Sequence, residues 1–212
     1  IPQWQSRYKT TINGEILTFG DLFQKSESYN FGWLRTLTSS EGGDKFKYET
    51  ADGTFAQFTS VQAHQLMKKP SQLTWEESGC YNLTLVTAYR MLFGHSGNEL
   101  KPGEYVLVWG ASGGLGSFAV QLAKTVGAKP IGVISDNSKA DYVKKLGAVG
   151  VLNRKDFNCW GEHPDIDDED AYNNYMKEVR KFGKALWEFT GKGKNVDMVF
   201  EHPGESTVPV SM

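Results

Sequence analysis

Residues Val106 to Ser135 read VLVWGASGGLGSFAVQLAKTVGAKPIGVIS, with four glycines among the seven residues 110–116, between two apolar runs. Val106 to Trp109 is short, β-branched and preceded by Pro102-Gly103, the pattern of a buried parallel strand. Leu115 to Val126 then carries Leu115, Phe118, Ala119, Leu122, Ala123 and Val126 at helical spacing, and Pro130 to Ser135 is apolar and extended again. The spacing predicts a βαβ unit with Gly110, Gly113 and Gly116 at its first turn, the beginning of a Rossmann-type, doubly wound parallel sheet.

The rest of the chain limits what such a unit could serve. At 212 residues there is room for one large domain or two small ones. The net charge of −2 and the lack of a dense basic block argue against nucleic-acid and anionic-membrane partners. No apolar run approaches the roughly 18 residues of a membrane span and no secretion signal is present, so a soluble, cytoplasmic protein is expected. Cys80 and Cys159 are too few for a disulfide framework and have no neighbouring base, so both are read as structural. His64, His95, His163 and His202 have no metal-ligand spacing, and no metal is predicted. The chain begins with isoleucine and stops at TVPVSM soon after an apolar strand, with no capping helix, so a fragment of a longer chain is expected.

Outward from the glycine turn, Asn13-Gly14 between alternating runs in YKTTINGEILTF (8–19) predicts a two-residue hairpin. Asp52-Gly53 and the alternation around Phe55, Phe58 and Val61 predict a turn and a strand. Thr74-Trp75-Glu76-Glu77 is a capping box opening a mostly buried helix through Phe93. Beyond Ser135, a short helix from Lys139 to Leu146 ended by Gly147, a strand from Val149 to Leu152 and an acidic irregular loop are expected. From Ala171 to Phe189, Tyr172, Tyr175, Met176, Val179, Phe182, Leu186 and Phe189 share one helix face, while Lys177, Arg180, Lys181 and Lys184 form a solvated one. Asn195 to Phe200 is the next strand.

Glycines at 110, 113 and 116 let a backbone approach a pyrophosphate, whose charge the first N–H groups of the following helix stabilise. The competing reading is a tight turn kept only for helix-to-sheet packing. Ser112, Gly114 and Leu115 belong to the same turn, and the absence of GxxxxGK[ST] argues against a triphosphatase. Asp136, just past the second strand, stands near the distance at which an NAD site places a carboxylate. The strand end itself carries Ser135, with Lys139 one helical turn on and Arg154 after the third strand. A hydroxyl and two cations suit a 2′-phosphate, and NADPH is favoured over NADH.

YETADGTFAQF, LTWEESGCYNLTLVTAYRMLFGH, LKPGEYVLVWGASGGLGS, GVLNRKDFNCWG, RKFGKALWEFTGKG and NVDMVFEHPGEST together resemble the crotonyl-CoA carboxylase/reductase family of the medium-chain dehydrogenase/reductase superfamily. The resemblance runs from Tyr48 to Met212, and FEHPGE and NRKDFNCWG are specific to the family rather than to the superfamily. It implies that residues 48–101 are the end of a GroES-like β domain with a connecting helix, and residues 102–212 a truncated NADPH-binding domain. Residues 1–47 do not resemble the family's N-terminal part and stay unassigned. The implied activity is reductive carboxylation of an enoyl-CoA thioester, crotonyl-CoA and CO2 giving ethylmalonyl-CoA, by a homo-oligomer expected to be a tetramer. By the resemblance, Glu49 and the aromatic Tyr48 before it help order a CO2 pocket, and Thr87 lies beside the nicotinamide. Glu201 and His202 are expected to line the cofactor cleft. A simple enoyl-CoA reductase and a non-catalytic dinucleotide-binding module remain the alternatives.

Overall fold

The computed structural model describes residues 66, 68–94, 96–165 and 167–212, together with the backbone of two short strands at 9–12 and 15–18. The chain divides into two compact units, Ile1–Val86 and Thr87–Met212. In the first unit, β1 (Lys9–Ile12) and β2 (Glu15–Thr18) pair antiparallel with Lys9 opposite Thr18 and Ile12 opposite Glu15. That register leaves the expected two residues, Asn13 and Gly14, between the strands. Tyr48, Glu49, the Asp52-Gly53 turn and the strand expected around Phe55 lie outside the described residues.

Helix α1 (Trp75–Phe93) begins in the first unit and ends in the second. Its start is a reciprocal capping box: the Glu77 N–H donates to Thr74 Oγ1 at 3.1 Å and the Thr74 N–H to Glu77 Oε2 at 2.9 Å. Two donors otherwise lacking a helical partner are thereby satisfied, a contribution of about 1 kcal/mol. The expectation of a mostly buried helix is corrected. Ser78, Asn82, Ala88 and Leu92 are buried, but Leu83 and Tyr89 are 55% and 57% exposed. Apolar residues lie all round this helix, so one packed stripe cannot cover them.

The second unit is built on a four-stranded parallel sheet of β3 (Tyr105–Val108), β4 (Lys129–Ile134), β5 (Gly150–Asn153) and β6 (Met198–Phe200), in the order β5-β4-β3-β6. Tyr105 pairs with Lys129, Ile131 with Gly150 and Val106 with Met198. The chain adds β4 and β5 on one side of β3, then returns to place β6 on the other. This reversal is the topological switch point of a Rossmann-type sheet.

Both faces are covered, which explains the unbroken apolar runs in the strands. Val106 and Val108 pack with Ala119, Val120 and Ala123 of α2 (Gly114–Thr125) and Val143 of α3 (Ala140–Leu146). Leu107, Trp109, Ile131, Val133 and Leu152 face the other way, onto Phe182 of α4 (Glu169–Thr190). Asp168 caps α4 by accepting from the Ala171 N–H at 3.0 Å, while Lys177, Arg180, Lys181 and Lys184 stand on its solvent-facing side. A single 3-10 turn (Asn137–Lys139) precedes α3, and Gly147 ends that helix with φ +123°.

The loop expected after β5 and the last residues of the chain each have a local anchor. The irregular loop after β5 is anchored by Cys159 and Trp160, the former 1% exposed. The chain also closes on a short helix, α5 (Val208–Ser211), where none is expected from the sequence. Pro209 fits a first helical turn, whose N–H groups need no helical acceptor, and the Ser211 hydroxyl is held by the Glu201 carboxylate of the preceding loop.

Candidate nucleotide cleft

A cleft of ≈ 310 Å³ opens at the C-terminal ends of the parallel strands, beside the switch point. The turn after β3 contributes Gly110, Ser112, Gly113, Gly114 and Leu115. The end of β4 contributes Ser135, the 3-10 turn after β5 contributes Arg154, and the loop after β6 contributes His202. Eight residues expected at a nucleotide site from sequence thus meet in one concavity, although they come from four separate strand ends.

The turn's shape follows from its glycines. Gly110 has φ +57°, a left-handed conformation that costs a side-chain-bearing residue roughly 1–2 kcal/mol. The Gly113 N–H donates back to Gly110 O at 2.9 Å, and the Ala111 N–H to Val133 O at 3.0 Å, which ties the turn to β4. Gly116, in the first turn of α2, is buried directly beneath. A Cβ there would stand 2.8 Å from Ala111 Cα and closer still to Gly110 O. Gly113 caps α2 without a side-chain acceptor, so the helix's first N–H groups face the cleft uncapped by a side chain.

Other expected residues stand elsewhere. Asp136 turns its carboxylate onto the Ser138 N–H at 2.9 Å, capping the 3-10 turn. The Ser138 backbone bond, aided by the Ser138 side chain, holds this carboxyl below its usual range. Asp136 is absent from the cleft wall, as are Lys139, which is exposed, and Thr87, which is half-buried in α1. The Asn153 side chain links β5 to the same 3-10 turn, donating to Asn137 Oδ1 at 2.9 Å and accepting from the Lys155 N–H at 3.0 Å. Arg154 is thereby fixed at its backbone, and the Trp160 indole N–H donates to Arg154 O at 2.7 Å.

Glu201 does not line the cleft either. Its Oε1 accepts from the Gly204 N–H at 3.2 Å and the Thr207 hydroxyl at 2.8 Å, and its Oε2 from the Ser211 hydroxyl at 2.9 Å. Ser211 Oγ in turn accepts from the Trp109 indole N–H at 2.9 Å. Trp109, Val133, Ile134 and Pro203 line the cleft and are missed by the sequence reading. A signal exists for three of the four, since Trp109, Val133 and Ile134 end the two central strands.

A second concavity of ≈ 540 Å³ lies beside Phe157 along the cationic face of α4. Carboxylates of Asp156 and Glu188 stand on the same wall, and Lys181 Nζ donates to Asp156 O at 2.7 Å. Cys159 is inert. Burial, followed by the nearby Glu178 charge, pushes its thiol up to about 11, so little nucleophilic thiolate forms near neutral pH. Among the described residues no group of three or more His, Cys, Asp or Glu side chains could hold a metal, and no helix is long and apolar enough to cross a membrane.

Residues 114–164 match the family model described as zinc-binding dehydrogenase. Crotonyl-CoA carboxylase/reductase of Cereibacter sphaeroides is 68% identical over 164 residues, which is 77% of this chain and 38% of that protein. A solved structure of a crotonyl-CoA carboxylase/reductase superposes with a TM-score of 0.74 at 63% identity, over 77% of this chain and 38% of the other. The 2-octenoyl-CoA carboxylase reductase CinF, in complex with NADP and 2-octenoyl-CoA, gives a TM-score of 0.60 at 40% identity, over 71% of this chain and 32% of the other. The chain therefore spans less than two-fifths of the length of these relatives.

Proposed function

We propose, because this chain belongs to the crotonyl-CoA carboxylase/reductase family of the medium-chain dehydrogenase/reductase superfamily, that it serves NADPH-dependent reductive carboxylation of an enoyl-CoA. The observation that carries the reading is the convergence of the glycine turn, Ser135 and Arg154 on one cleft at the strand ends. The turn fits a dinucleotide: the space a Cβ would take at Gly116 is filled by the turn's own backbone, which holds the uncapped N–H groups of α2 toward the cleft. Bound NADPH supplies the hydride that reduces the β-carbon of the enoyl thioester, leaving an enolate whose α-carbon takes up CO2.

In this reading the chain's own residues bind and exclude water. The N–H groups at Gly114 and Leu115 hold the pyrophosphate, and Ser135 and Arg154 receive the 2′-phosphate. The capping bond that turns Asp136 away from the cleft removes the carboxylate that would repel a phosphate there and favour NAD. Glu49 and Tyr48 order the CO2 pocket and Thr87 neighbours the nicotinamide, roles that rest on the family resemblance. Residues 48–101 are then the end of a GroES-like domain and its connecting helix, residues 102–212 part of the NADPH-binding domain, and the whole a cytoplasmic homotetramer.

The test is the mass of the product formed from crotonyl-CoA and NADPH with dissolved CO2 supplied. Ethylmalonyl-CoA is expected. Butyryl-CoA alone would make the protein a simple enoyl-CoA reductase, and NADPH binding without turnover a non-catalytic module.

Cofactor choice has its own test. Arg154→Ala removes a charge-assisted contact worth about 1.5–3 kcal/mol, so NADPH affinity is expected to fall roughly 10- to 150-fold. NADH affinity should change little. Lys139→Ala, outside the cleft wall, is expected to have the smaller effect. Equal losses of NADPH and NADH in a fluorescence titration of Arg154→Ala would remove the 2′-phosphate assignment.

A further inference from the structure

We propose that Glu201 is a positioning residue that joins the two walls of the cleft through hydrogen bonds accepted from uncharged donors and touches no nucleotide atom; the inference rests on reading the cleft as the NADPH site. One wall includes Trp109, the residue after β3, which is 1% exposed and packs its ring against Phe182 and Trp160. The other is His202-Pro203, in the loop after β6. Glu201 reaches both. Oε2 accepts from Ser211, which accepts from the Trp109 indole N–H, and Oε1 accepts from the Gly204 N–H and from Thr207.

The two arms constrain different things. Through Gly204, a glycine at φ +84°, the Oε1 arm closes the 201–204 turn and so fixes where His202 projects. The ring then rests over the glycine turn, where a Cβ placed on Gly110 would lie 3.1 Å from His202 Nε2. Through Ser211, the Oε2 arm sets the rotation of the Trp109 indole against the short helix α5. One carboxylate thus fixes the spacing between the floor and the side of the concavity that meets the pyrophosphate turn. A carboxylate serves because it can accept all three bonds without carrying a donor of its own. With its lone pairs directed into the loop, it adds no unpaired negative oxygen to a cleft that must receive phosphates.

The role predicts a rescue that an electrostatic or purely stabilising role does not. Glu201→Gln keeps an acceptor for Gly204 and Thr207. Its amide N–H can donate to Ser211 Oγ once the Ser211 hydroxyl turns to Thr207 O, which already lies 3.0 Å away. Glu201→Ala has no such substitute. The experiment is an NADPH titration of the wild-type chain and both variants, with a thermal melt of each to establish that the protein titrated is folded. Glu201→Ala is expected to raise the Kd for NADPH by about tenfold or more, and Glu201→Gln to bind at least about threefold more tightly than Glu201→Ala. A smaller rise in the alanine variant, or a glutamine variant no better than alanine, overturns the proposal. If Glu201→Ala does not fold, Ser211→Ala severs the Trp109 arm alone. A Kd equal to wild type in that variant overturns the proposal, and a raised Kd upholds it. Failure of the wild-type chain to bind NADPH is a separate result that removes the cleft reading itself.

Discussion

Gly116→Ala is expected to weaken NADPH binding by at least about a hundredfold and to destabilise the second unit by roughly 1–3 kcal/mol or more. The added methyl group would stand 2.8 Å from both Ala111 Cα and the Gly110 carbonyl carbon, and nearer still to Gly110 O. All three are backbone atoms of the turn, so no side-chain rotation relieves the clash. Either the turn opens or α2 withdraws along its axis. Both responses move the N–H groups of the helix's first turn relative to Ser135 and Arg154, and a displacement of about 1 Å is enough for a loss of that size. Gly110→Ala provides the contrast. Its left-handed φ of +57° carries a backbone cost, but the nearest neighbour of the new Cβ is the His202 ring at 3.1 Å, a side chain able to rotate. The expected order of damage is therefore Gly116→Ala above Gly110→Ala, read by NADPH titration and urea unfolding. Wild-type NADPH affinity in Gly116→Ala would show that the turn does not hold the pyrophosphate.

The glycine turn belongs to the part of the molecule most legible in the amino-acid sequence. Strand, turn, helix and strand from Val106 to Ser135 stand within a residue of their expected bounds. They are legible because a sheet covered on both faces gives unbroken apolar runs, punctuated by glycines that the turn geometry requires. The capping box at Thr74 and Glu77 and the hairpin across Asn13-Gly14 are legible because each is a local motif, one closing its bonds within four residues and the other pairing strands two residues apart. The exposure of Leu83 and Tyr89 is not. Burial depends on what packs against a helix, and α1 is apolar on several sides.

The site is legible to a similar depth. Strand ends can be identified from sequence, and the switch point then brings them together, which is how Ser135 and Arg154 meet although they lie at the ends of different strands. Side-chain direction is a different matter. Asp136 stands where a ribose-binding carboxylate belongs, yet an Asp before a helical turn serves equally well as a cap, and the Ser138 N–H decides between the uses. Glu201, by its place after β6, is expected in the cleft. Its carboxylate faces Gly204, Thr207 and Ser211 instead, because those residues fold back as a turn and short helix that no periodicity in the sequence announces.

Phe182→Ala is expected to destabilise the second unit by about 3–5 kcal/mol. Phe182 is 2% exposed and stands at the centre of an aromatic group: Trp109 stacks against it at 5.9 Å, while Trp160 and Phe157 meet it edge-on at 5.3 and 5.2 Å. Truncation leaves a cavity that these large rings, anchored at separate points of the chain, cannot collapse to fill. Against the roughly 5–15 kcal/mol that holds a typical domain together, the loss is a large fraction. For a unit of this size it corresponds to a fall in Tm of roughly 6–20 °C. The same cluster supports the cleft, since Trp109 lines it and the Trp160 indole N–H holds the Arg154 carbonyl. Phe182→Ala is therefore expected to weaken NADPH as well as to unfold earlier, whereas Phe182→Leu, which keeps most of the volume, should lose much less of both. Saturating NADPH should return part of the lost Tm, about 2.7 kcal/mol of stabilisation at a hundred times the Kd. A wild-type melting temperature in Phe182→Ala would mean that α4 does not depend on this ring. Normal NADPH affinity in a destabilised Phe182→Ala would separate the core beneath the sheet from the cleft at its end, leaving Glu201 and Ser211 as the supports of Trp109.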